Sequence, residues 1–488
     1  MKPEYDVLII GAGFAGIAMA SELKRSPSKR FIVLEAEAGI GGTWWLNRYP
    51  GAACDVQSHL YSLVGAPNAN WSSEFARRGE IQAYLEDIAQ REALWPHILL
   101  QRRVESGHWD EEAKHWSVTD SAGVTYTTRC LVSAVGGLAR PQWPDIPGLG
   151  NFRGQTVHSQ QWPNDLVLTN KRVGVIGTGA SAVQFIPHVA KQAQSLTVFQ
   201  RTPNWILPKP DRSIGPARRW AYRTLPWLRH IKRLGLFLLH EARLPAFTRW
   251  PALSVLHRHR ALRHLRKTIQ DPTLRQKLTP SYAMGCKRVL MSNDYYPALN
   301  QSHVALVTAP IAQVTPDGIV DASGRHHPLD VLILGTGFQA TSPVPHGLVI
   351  GRKGQDLAAV WEAGPSAYKG TTVAGFPNFF TLLGPNTALG HNSVLLMIES
   401  QVRYVRAALT AMDAQTLQSI EVRAEAQQDW QEKLEKKLQR TVWSQGGCQS
   451  WYLHPKSGKN TTLWPGTTLR FKKQTRHFDR AAYRCEQC

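Results

Sequence analysis

The sequence predicts an α/β fold that contains two similar strand–turn–helix units. The first observation is a pair of glycine-rich segments, GAGFAG at residues 11–16 and GTGASA at residues 177–182. A short apolar run precedes each segment, which is typical of a buried parallel strand. A second apolar strand then follows each segment and reaches a charged residue 24 positions after the first glycine, at Glu35 and at Arg201.

The composition is that of a large globular protein. A length of 488 residues suggests roughly three domain-sized units. With 43% hydrophobic and 19% charged residues, the chain is not intrinsically disordered. Six cysteines are too few for a disulfide scaffold, and no stretch reaches the ~20 apolar residues that span a bilayer. Without a signal-peptide pattern, we expect a cytoplasmic protein of a reducing compartment.

The first unit has the features of a Rossmann dinucleotide-binding site. The first glycine permits the tight turn, the second lets the backbone approach a pyrophosphate, and the third lets helix and strand pack closely. A carboxylate at the position of Glu35 accepts hydrogen bonds from an adenosine ribose. The alternative is a glycine-rich turn in another kind of α/β unit. The candidate cofactor-binding residues here are Gly11, Gly13, Phe14, Ala15, Gly16 and Glu35.

The second unit has Arg201 in the position that Glu35 occupies in the first. A carboxylate there repels a 2′-phosphate, whereas a guanidinium binds one through a charge-assisted fork. We therefore expect FAD, an unphosphorylated dinucleotide, in the first unit and NADPH in the second. The alternative is that Arg201 is a solvated cation at a strand end. The candidate residues of the second site are Gly177, Thr178, Gly179, Ser181, Ala182, Arg201, Thr202 and Lys209.

Two further motifs narrow the chemistry. Residues 41–55, GGTWWLNRYPGAACD, are too rich in glycine and aromatic residues for a regular element, and such segments wrap a planar ligand or form a surface turn. Residues 152–163 read FxGxxxHxxxWP. On these motifs, the sequence resembles the flavin-containing monooxygenases and, within them, the Baeyer–Villiger monooxygenases. The family fingerprint is FxGxxxHxxxW followed by Pro or Asp, between two Rossmann motifs, and every fixed position matches.

The resemblance implies a two-stage reaction. NADPH reduces FAD, and O2 then forms a flavin C4a-peroxide that attacks a ketone carbonyl to give an ester or a lactone. In the family an arginine with an aspartate partner keeps the peroxide anionic, and the matching positions are Arg288 and Asp55. Arginine suits this role because it keeps its proton at working pH, whereas Lys287 next to it can lose one. The alternatives are a structural ion pair for Arg288 and a turn-capping carboxylate for Asp55.

The resemblance assigns further residues by motif. It places His158 on the linker between the units as a structural residue, and Trp162 and Trp464 on the substrate side. A helix from about residue 392 to 412 is expected to direct its N-terminus at the flavin. No metal is expected. The remaining implied cofactor-binding residues are Gly42, Thr43, Trp44, Asp55, Val56, Tyr61, Thr336, Gly337 and Asn386.

The predicted domain order is an FAD-binding part at residues 1–145, an NADPH-binding domain at 146–329, and the second FAD-binding part with a substrate-side tail at 330–488. A basic helical insertion is expected at about residues 213–280. Within it, residues 216–267 contain 11 Arg and 2 Lys but one acid, a net charge of +12 of the chain's +21. The pattern fits a lid over the substrate, or a lid that also contacts an anionic membrane. The chain ends in Cys485 and Cys488, which we interpret as a loose thiol pair.

Three functions remain open from the sequence. The first is a monooxygenase that acts on a small-molecule ketone and O2, as a monomer or a homodimer, with possible peripheral membrane contact. The second is an N- or S-hydroxylating flavin monooxygenase, whose members usually carry Tyr or Phe where this chain has Trp162-Pro163. The third is a basic membrane- or nucleic-acid-binding protein with degenerate Rossmann units. Nucleic acid is not expected, because no reading motif accompanies the charge.

Overall fold

The computed structural model describes residues 2–26, 29–341 and 344–487, and the strands and helices below belong to these ranges. The strands are β1 (Tyr5–Ile10), β2 (Phe31–Leu34), β3 (Ile98–Leu99), β4 (Val104–Asp110), β5 (His115–Asp120), β6 (Thr125–Ser133), β7 (Gln155–His158), β8 (Arg172–Ile176), β9 (Ser195–Phe199), β10 (Ile206–Leu207), β11 (Leu290–Met291), β12 (Val304–Val307), β13 (Ile311–Thr315), β14 (Gly318–Asp321), β15 (His326–Pro328), β16 (Val331–Leu334), β17 (Val349–Ile350), β18 (Phe379–Thr381), β19 (Leu417–Val422) and β20 (Tyr483–Gln487). The α-helices are α1 (Phe14–Lys24), α2 (Thr43–Leu46), α3 (Arg78–Arg91), α4 (Ala180–Ala190), α5 (Pro216–Thr224), α6 (Pro226–Glu241), α7 (Leu244–Thr248), α8 (Val255–Thr268), α9 (Pro272–Lys277), α10 (Tyr295–Leu299), α11 (Leu357–Val360), α12 (Leu395–Ala414), α13 (Ala424–Leu438), α14 (Val442–Gln445) and α15 (Thr468–Gln474).

The first sheet has the strand order β17-β4-β5-β6-β1-β2-β3, and β18 also pairs with β6. Its centre is parallel, with β1 between β2 and β6. Val7, Leu8 and Ile9 of β1 are fully buried, because the sheet is covered on both faces. The predicted buried strand before the first glycine-rich segment is therefore confirmed.

The second sheet is parallel throughout, with the order β12-β9-β8-β16-β7. Strand β8 leads into the second glycine-rich turn and α4, as β1 leads into the first turn and α1. The second FAD-binding part was predicted to begin at residue 330, but β16 lies between β8 and β7 in the second sheet. The chain rejoins the first sheet only at β17, so its return comes later than residue 330. The other domain boundaries stay predictions.

In both units a small residue on the helix packs closely against a small residue of the neighbouring strand end. The first unit has glycine on the helix and alanine opposite, and the second unit has alanine on the helix and glycine opposite. A Cβ on Gly16 of α1 would lie 1.9 Å from the carbonyl oxygen of Gly11 and 3.7 Å from the Cβ of Ala134. In the second unit the helix residue is Ala182, and the residue that faces it is Gly335. The methyl group of Ala182 leaves little room for a side chain at Gly335.

We expect the substitution Gly335→Ala to destabilise the protein by overpacking, at a cost of about 1–3 kcal/mol. Its new methyl group would lie 3.2 Å from the Cβ of Ala182 and 3.4 Å from the carbonyl oxygen of Ile176. The measurement is the thermal unfolding midpoint of the cofactor-loaded protein. The double variant Gly335→Ala/Ala182→Gly serves as the control and should recover most of the loss. A double variant as unstable as the single one would show that Ala182 is not the source of the clash.

The predicted helical insertion forms α5 to α9, together with a short 3-10 turn at residues 251–254. It leaves the second unit after β10 and returns at β11. Three small sheets complete the fold of the described residues, namely the parallel pair β10-β11 and the antiparallel sheets β13-β14-β15 and β19-β20. Cys485 lies on β20 as a free thiol, and Cys488, its expected partner, lies outside the described residues. Among the described residues, no helix is long and apolar enough to cross a membrane.

Candidate active site between the two dinucleotide-binding units

The first glycine-rich turn and residues 41–55 form a single cradle. Gly11 has a φ of +97°, a value that disfavours any side chain, and α1 begins immediately after Gly13. A Cβ on Gly42 would lie 3.1 Å from the Cα of Gly13, so the two backbones approach each other closely. Backbone N–H groups at a helix N-terminus without side chains in front of them fit a phosphate. The residues present therefore fit the pyrophosphate of a dinucleotide such as FAD.

Glu35 is buried at the carboxyl end of β2. Its Oε2 accepts a hydrogen bond from the Ala12 N–H at 2.6 Å, and its Oε1 accepts one from the Glu37 N–H at 3.0 Å. Burial raises the pKa of Glu35, and these backbone donors oppose the rise. Each carboxylate oxygen has a second lone pair, so Glu35 can still accept from a ribose hydroxyl.

Aromatic side chains connect the turn to the segment that follows it. Trp44 Nε1 donates to the Tyr61 hydroxyl at 3.1 Å, and the Tyr61 ring meets the Phe14 ring edge-on with centroids 5.1 Å apart. Thr43 begins α2, a single helical turn in a segment that was predicted to contain no regular element. Val56 is buried in the same core. These contacts hold the segment in a fixed position against α1.

Cys54 is a buried free thiol in this segment. Burial and the nearby Asp55 carboxylate raise the pKa of Cys54, so the thiol stays protonated and unreactive.

Asn386 lies on a turn with a φ of +55°. Its Nδ2 donates to the carbonyl oxygens of Asn460 and Leu463, at 2.8 and 3.3 Å. Among the described residues, its buried Oδ1 has no hydrogen-bond partner, which fits a donor on a bound cofactor. The helix expected from residue 392 begins at Leu395, because Asn392 Oδ1 accepts from the Ser393 N–H and holds a turn ahead of α12.

Arg288 and Asp55 form a two-point ion pair although they are 233 residues apart in the chain. Arg288 Nε donates to Oδ2 at 2.5 Å, and Nη2 donates to Oδ1 at 2.6 Å. Their side chains keep 31% and 29% of their surface exposed, so the pair faces an opening. The Asp55 charge raises the pKa of Arg288. Burial tends to raise the pKa of Asp55, but the charge and hydrogen bonds of Arg288 lower it below its ordinary value. The pair therefore stays charged at neutral pH.

The segment around residue 450 supports this pair. This contribution was not predicted from the sequence. Cys286, two residues before Arg288, forms a disulfide with Cys448. Tyr452, four residues further, is buried next to Arg288, and burial raises the pKa of its hydroxyl to about 12. The disulfide thus ties the loop of Arg288 to a segment from the far end of the chain. Neither the spacing nor the number of cysteines signalled this pairing.

The second glycine-rich turn repeats the geometry of the first. Gly177 has a φ of +104°, and a Cβ on it would lie 2.4 Å from the carbonyl oxygen of Gly335. Gly179 precedes α4 with nothing within 4 Å of its Cβ position. Asn204 Nδ2 donates to the carbonyl oxygen of Thr178 at 2.6 Å and holds the turn. The residues present fit the pyrophosphate of a second dinucleotide.

The cations near the end of β9 are arranged differently from the expectation. Arg201 and Thr202 are exposed, and Lys287 Nζ donates to Thr202 Oγ1 at 2.7 Å. This bond holds the Lys287 ammonium one residue away from Arg201. Burial and the charge of Arg201 lower the pKa of Lys287. Lys209, expected beside Arg201, instead pairs with Asp211 at 3.4 Å and lies 4.9 Å from the centroid of the Phe75 ring. Lys287 was not predicted from the sequence to lie beside Arg201 and Thr202.

The two units contact each other through Gln184 of α4. This residue was not predicted from the sequence to have a role. Its Oε1 accepts from the Tyr49 hydroxyl at 3.1 Å, and its Nε2 donates to the Ala53 carbonyl at 2.9 Å. A Cβ on Gly51 would lie 2.7 Å from the Gln184 carbonyl, so this glycine permits the close approach. Tyr49 also interacts with Ser181 at the start of α4. Helix α4 thus contacts both the second glycine-rich turn and residues 49–53.

His158 lies where the chain crosses between the two sheets. Its ring lies between Trp143 and Phe338, with centroid distances of 5.9 and 6.1 Å. Nδ1 accepts from the Gln160 N–H at 3.2 Å, and burial lowers the pKa of His158, so the ring is neutral. On the second crossing, Thr336 Oγ1 donates to the Gln142 carbonyl, and Gly337 has a φ of +90°. The two crossings are therefore tied together around a neutral histidine.

The two substrate-side tryptophans occupy different environments. Trp162 is half-buried, packs against Phe185 with centroids 5.4 Å apart, and lines a cleft of about 250 Å³ with Arg48 and Pro50. Trp464 is buried in a core cluster, stacks on Trp430, and donates from Nε1 to the Thr467 carbonyl at 3.0 Å. Contact of either ring with substrate stays a prediction.

Helix α6 of the insertion reaches the residues around the ion pair. His240 Nε2 lies 2.7 Å from Gln57 Oε1, two residues after Asp55, and its Nδ1 lies 2.8 Å from the His391 carbonyl ahead of α12. Burial lowers the pKa of His240 to about 4, so it is neutral at pH 7. Glu241 accepts from the Thr468 hydroxyl at 2.8 Å. The inner side of the insertion therefore covers the site.

Two dinucleotide-binding units with an ion pair between them define a pyridine-nucleotide-dependent flavoprotein oxidoreductase. A family model described as pyridine nucleotide-disulphide oxidoreductase matches residues 8–225. The chain is 50% identical over 477 residues to a Baeyer–Villiger monooxygenase of Pseudomonas aeruginosa, covering 98% of this chain and 90% of the relative. It is 42% identical over 480 residues to a Baeyer–Villiger monooxygenase of Streptomyces coelicolor, covering 98% and 92%. A solved structure of oxidized steroid monooxygenase bound to NADP superposes with a TM-score of 0.86 at 32% identity, over 99% of this chain and 100% of that one.

The chain belongs to the Baeyer–Villiger monooxygenases, which confirms the resemblance seen in its motifs. It is an FAD- and NADPH-dependent enzyme that inserts one oxygen atom of O2 next to a ketone carbonyl to give an ester or a lactone. The hydroxylating and the non-enzymatic alternatives are set aside.

Proposed function

We propose that Arg288 and Asp55 are the catalytic pair of this monooxygenase. The observation that carries the proposal is their two-point ion pair, which keeps a permanent cation at an opening between the two units. FAD, when bound, supplies the oxygen-activating chemistry. The guanidinium would stabilise negative charge that develops on oxygen during the reaction, and Asp55 would hold it in position. Tyr452 and the Cys286–Cys448 disulfide would keep the loop of Arg288 in place.

The first unit is proposed to hold FAD. The turn at Gly11 and Gly13 and the adjacent Gly42 would receive the pyrophosphate, and Glu35 would accept from the ribose. Asn386 would accept a hydrogen bond at its free Oδ1. The other proposed contacts come from Phe14, Ala15, Gly16, Thr43, Trp44, Val56, Tyr61, Thr336 and Gly337.

The second unit is proposed to hold NADPH. Arg201, Thr202 and Lys287 would receive the 2′-phosphate, since two cations and a hydroxyl lie together at the end of β9. The pyrophosphate would lie at Gly177 and Gly179, close to Thr178, Ser181 and Ala182. Lys209 would contribute its charge near Asp55, since it lowers the pKa of that carboxylate.

The remaining proposals concern the working state of the enzyme. We propose a cytoplasmic monomer or homodimer that makes peripheral contact with a membrane through its basic insertion, residues 213–280. His158 would couple the two crossings between the units, because it lies between Trp143 and Phe338. Trp162 and Trp464 would contribute to the substrate side.

A panel of substrates tests the proposed role of the Arg288–Asp55 pair in ketone oxygenation. The purified holoenzyme is incubated with NADPH, O2 and cyclic, aromatic or steroid ketones, and in parallel with a thioether and a tertiary amine. We expect ester or lactone from at least one ketone class, because Arg288 places a cation where oxygen becomes anionic. Sulfoxide or N-oxide without any ester or lactone would contradict the proposal. Product identity is read by mass spectrometry, with protein lacking NADPH as the control.

A further inference from the structure

The outer face of α6 is apolar although it faces solvent. Its large side chains are 50–60% exposed, and four of them are spaced four, three and four residues apart, which places them on one face of the helix. We name this set the outer stripe. Its members are Trp227, Ile231, Leu234, Leu238 and Leu239.

The inner face of α6 buries Leu236 in the core and carries polar residues that are held by hydrogen bonds. Lys232 Nζ pairs with Glu74 at 3.1 Å. Arg233 Nη1 donates to the carbonyl oxygens of His59 and Ser62, at 2.9 and 2.8 Å. Rotating the helix to bury the outer stripe would break these bonds and leave buried carbonyl groups unpaired. The outward direction of the stripe is therefore imposed by the contacts of the inner face.

The insertion that carries the outer stripe is strongly cationic. Residues 216–267 carry a net charge of +12, and their single acid, Glu241, is turned inward to Thr468. Across residues 2–26, 29–341 and 344–487, no carboxylate lies within ion-pair distance of the exposed Arg249, Arg260 or Arg263. Further exposed apolar residues lie in the same region, namely Trp220, Leu225, Trp250, Leu253, Val255 and Leu256.

We propose that the outer stripe and the exposed arginines of the insertion dock the enzyme on the surface of an anionic lipid bilayer. Apolar side chains of an amphipathic helix enter the boundary between headgroups and acyl chains, while arginines bind the lipid phosphates. A second copy of the chain would place like charges against each other in a symmetric interface. A nucleic acid would satisfy the arginines but would leave the aliphatic stripe exposed. The proposal deepens the proposed peripheral contact and does not depend on the proposed roles of Arg288 and Asp55.

Vesicle flotation of the holoenzyme tests the docking surface. One set of vesicles is phosphatidylcholine alone, and the other contains equal parts phosphatidylcholine and phosphatidylglycerol. At about 0.15 M salt, we expect at least about tenfold more enzyme to float with the anionic vesicles. The variant Ile231→Ser/Leu234→Ser/Leu238→Ser and the variant Arg260→Gln/Arg263→Gln should each lose binding by about tenfold. The matched control is Val167→Ser, a 63% exposed apolar residue outside the insertion, which should bind as the wild type does.

Flavin content and the thermal unfolding midpoint show that each variant is folded, and the single variant Ile231→Ser serves if the triple one is not. Wild-type enzyme that stays below the gradient with anionic vesicles would overturn the proposal. A stripe variant that binds like the wild type would overturn it too, because the attachment would then be electrostatic alone. Light scattering gives the remaining outcome: a wild-type dimer that the stripe variant dissociates, without flotation of either, would assign the stripe to a contact between two copies.

Discussion

Replacing Arg288 with alanine is expected to lower ketone oxygenation by at least about 10²- to 10³-fold, the cost of losing one preorganised charge-stabilising donor. Flavin reduction by NADPH should continue at a rate close to wild type, because the proposed cofactor contacts of the second unit do not include this side chain. The electrons taken from NADPH should then reduce O2 to hydrogen peroxide, with little ester or lactone formed. Anaerobic stopped-flow mixing measures the reduction step, and product analysis under air measures the oxygenation.

Two control variants separate charge from geometry at this position. Arg288→Lys keeps a cation but loses the fork that bonds both oxygens of Asp55, so we expect intermediate activity. Asp55→Asn keeps the shape of the partner but removes its charge, and it should reduce oxygenation more than it reduces FAD content. An unchanged ester yield in Arg288→Ala would refute the role of the pair. Loss of flavin reduction in the same variant would place Arg288 in NADPH binding.

Replacing Arg201 with alanine is expected to raise the KM for NADPH by about 10- to 100-fold, the value of one or two charge-assisted hydrogen bonds. The KM for NADH should change little, because NADH lacks the 2′-phosphate. Initial rates of flavin reduction with each coenzyme give the two values. Lys287→Ala should give the same selective change, since its ammonium group is bonded to Thr202 beside Arg201.

Lys209→Ala is the comparison variant for coenzyme selectivity. Lys209 pairs with Asp211 and lies over Phe75, so we expect its effect on the ratio of the two KM values to be smaller than that of Arg201→Ala. Equal effects of Arg201→Ala on NADPH and NADH would remove the selectivity argument. A larger selective effect of Lys209→Ala than of Lys287→Ala would support the prediction from the sequence that Lys209 helps Arg201 to bind the 2′-phosphate.

Much of the fold could be predicted because its signals are local. The glycine at position 11 is needed for a positive φ, the glycine at 13 for an open helix N-terminus, and the glycine at 16 for close packing on the turn. The same three requirements recur at residues 177–182, with the third position shifted to alanine and compensated by Gly335. The position of β16 was misjudged because a single buried strand carries no mark of the sheet that it joins.

The sequence alone predicted two nucleotide sites, their order, and the acid and the arginine proposed to distinguish them, and it identified the family, because turns, strand ends and motifs are written in consecutive residues. Only the tertiary structure decided which distant groups meet: Asp55 with Arg288, Lys287 with Thr202, and Cys286 with Cys448. It also decided that α6 turns Lys232 and Arg233 inward and Leu234, Leu238 and Leu239 outward. The periodicity of a helix separates two faces, but only the core contacts and hydrogen bonds available on the neighbouring surface determine which of those faces is turned toward solvent.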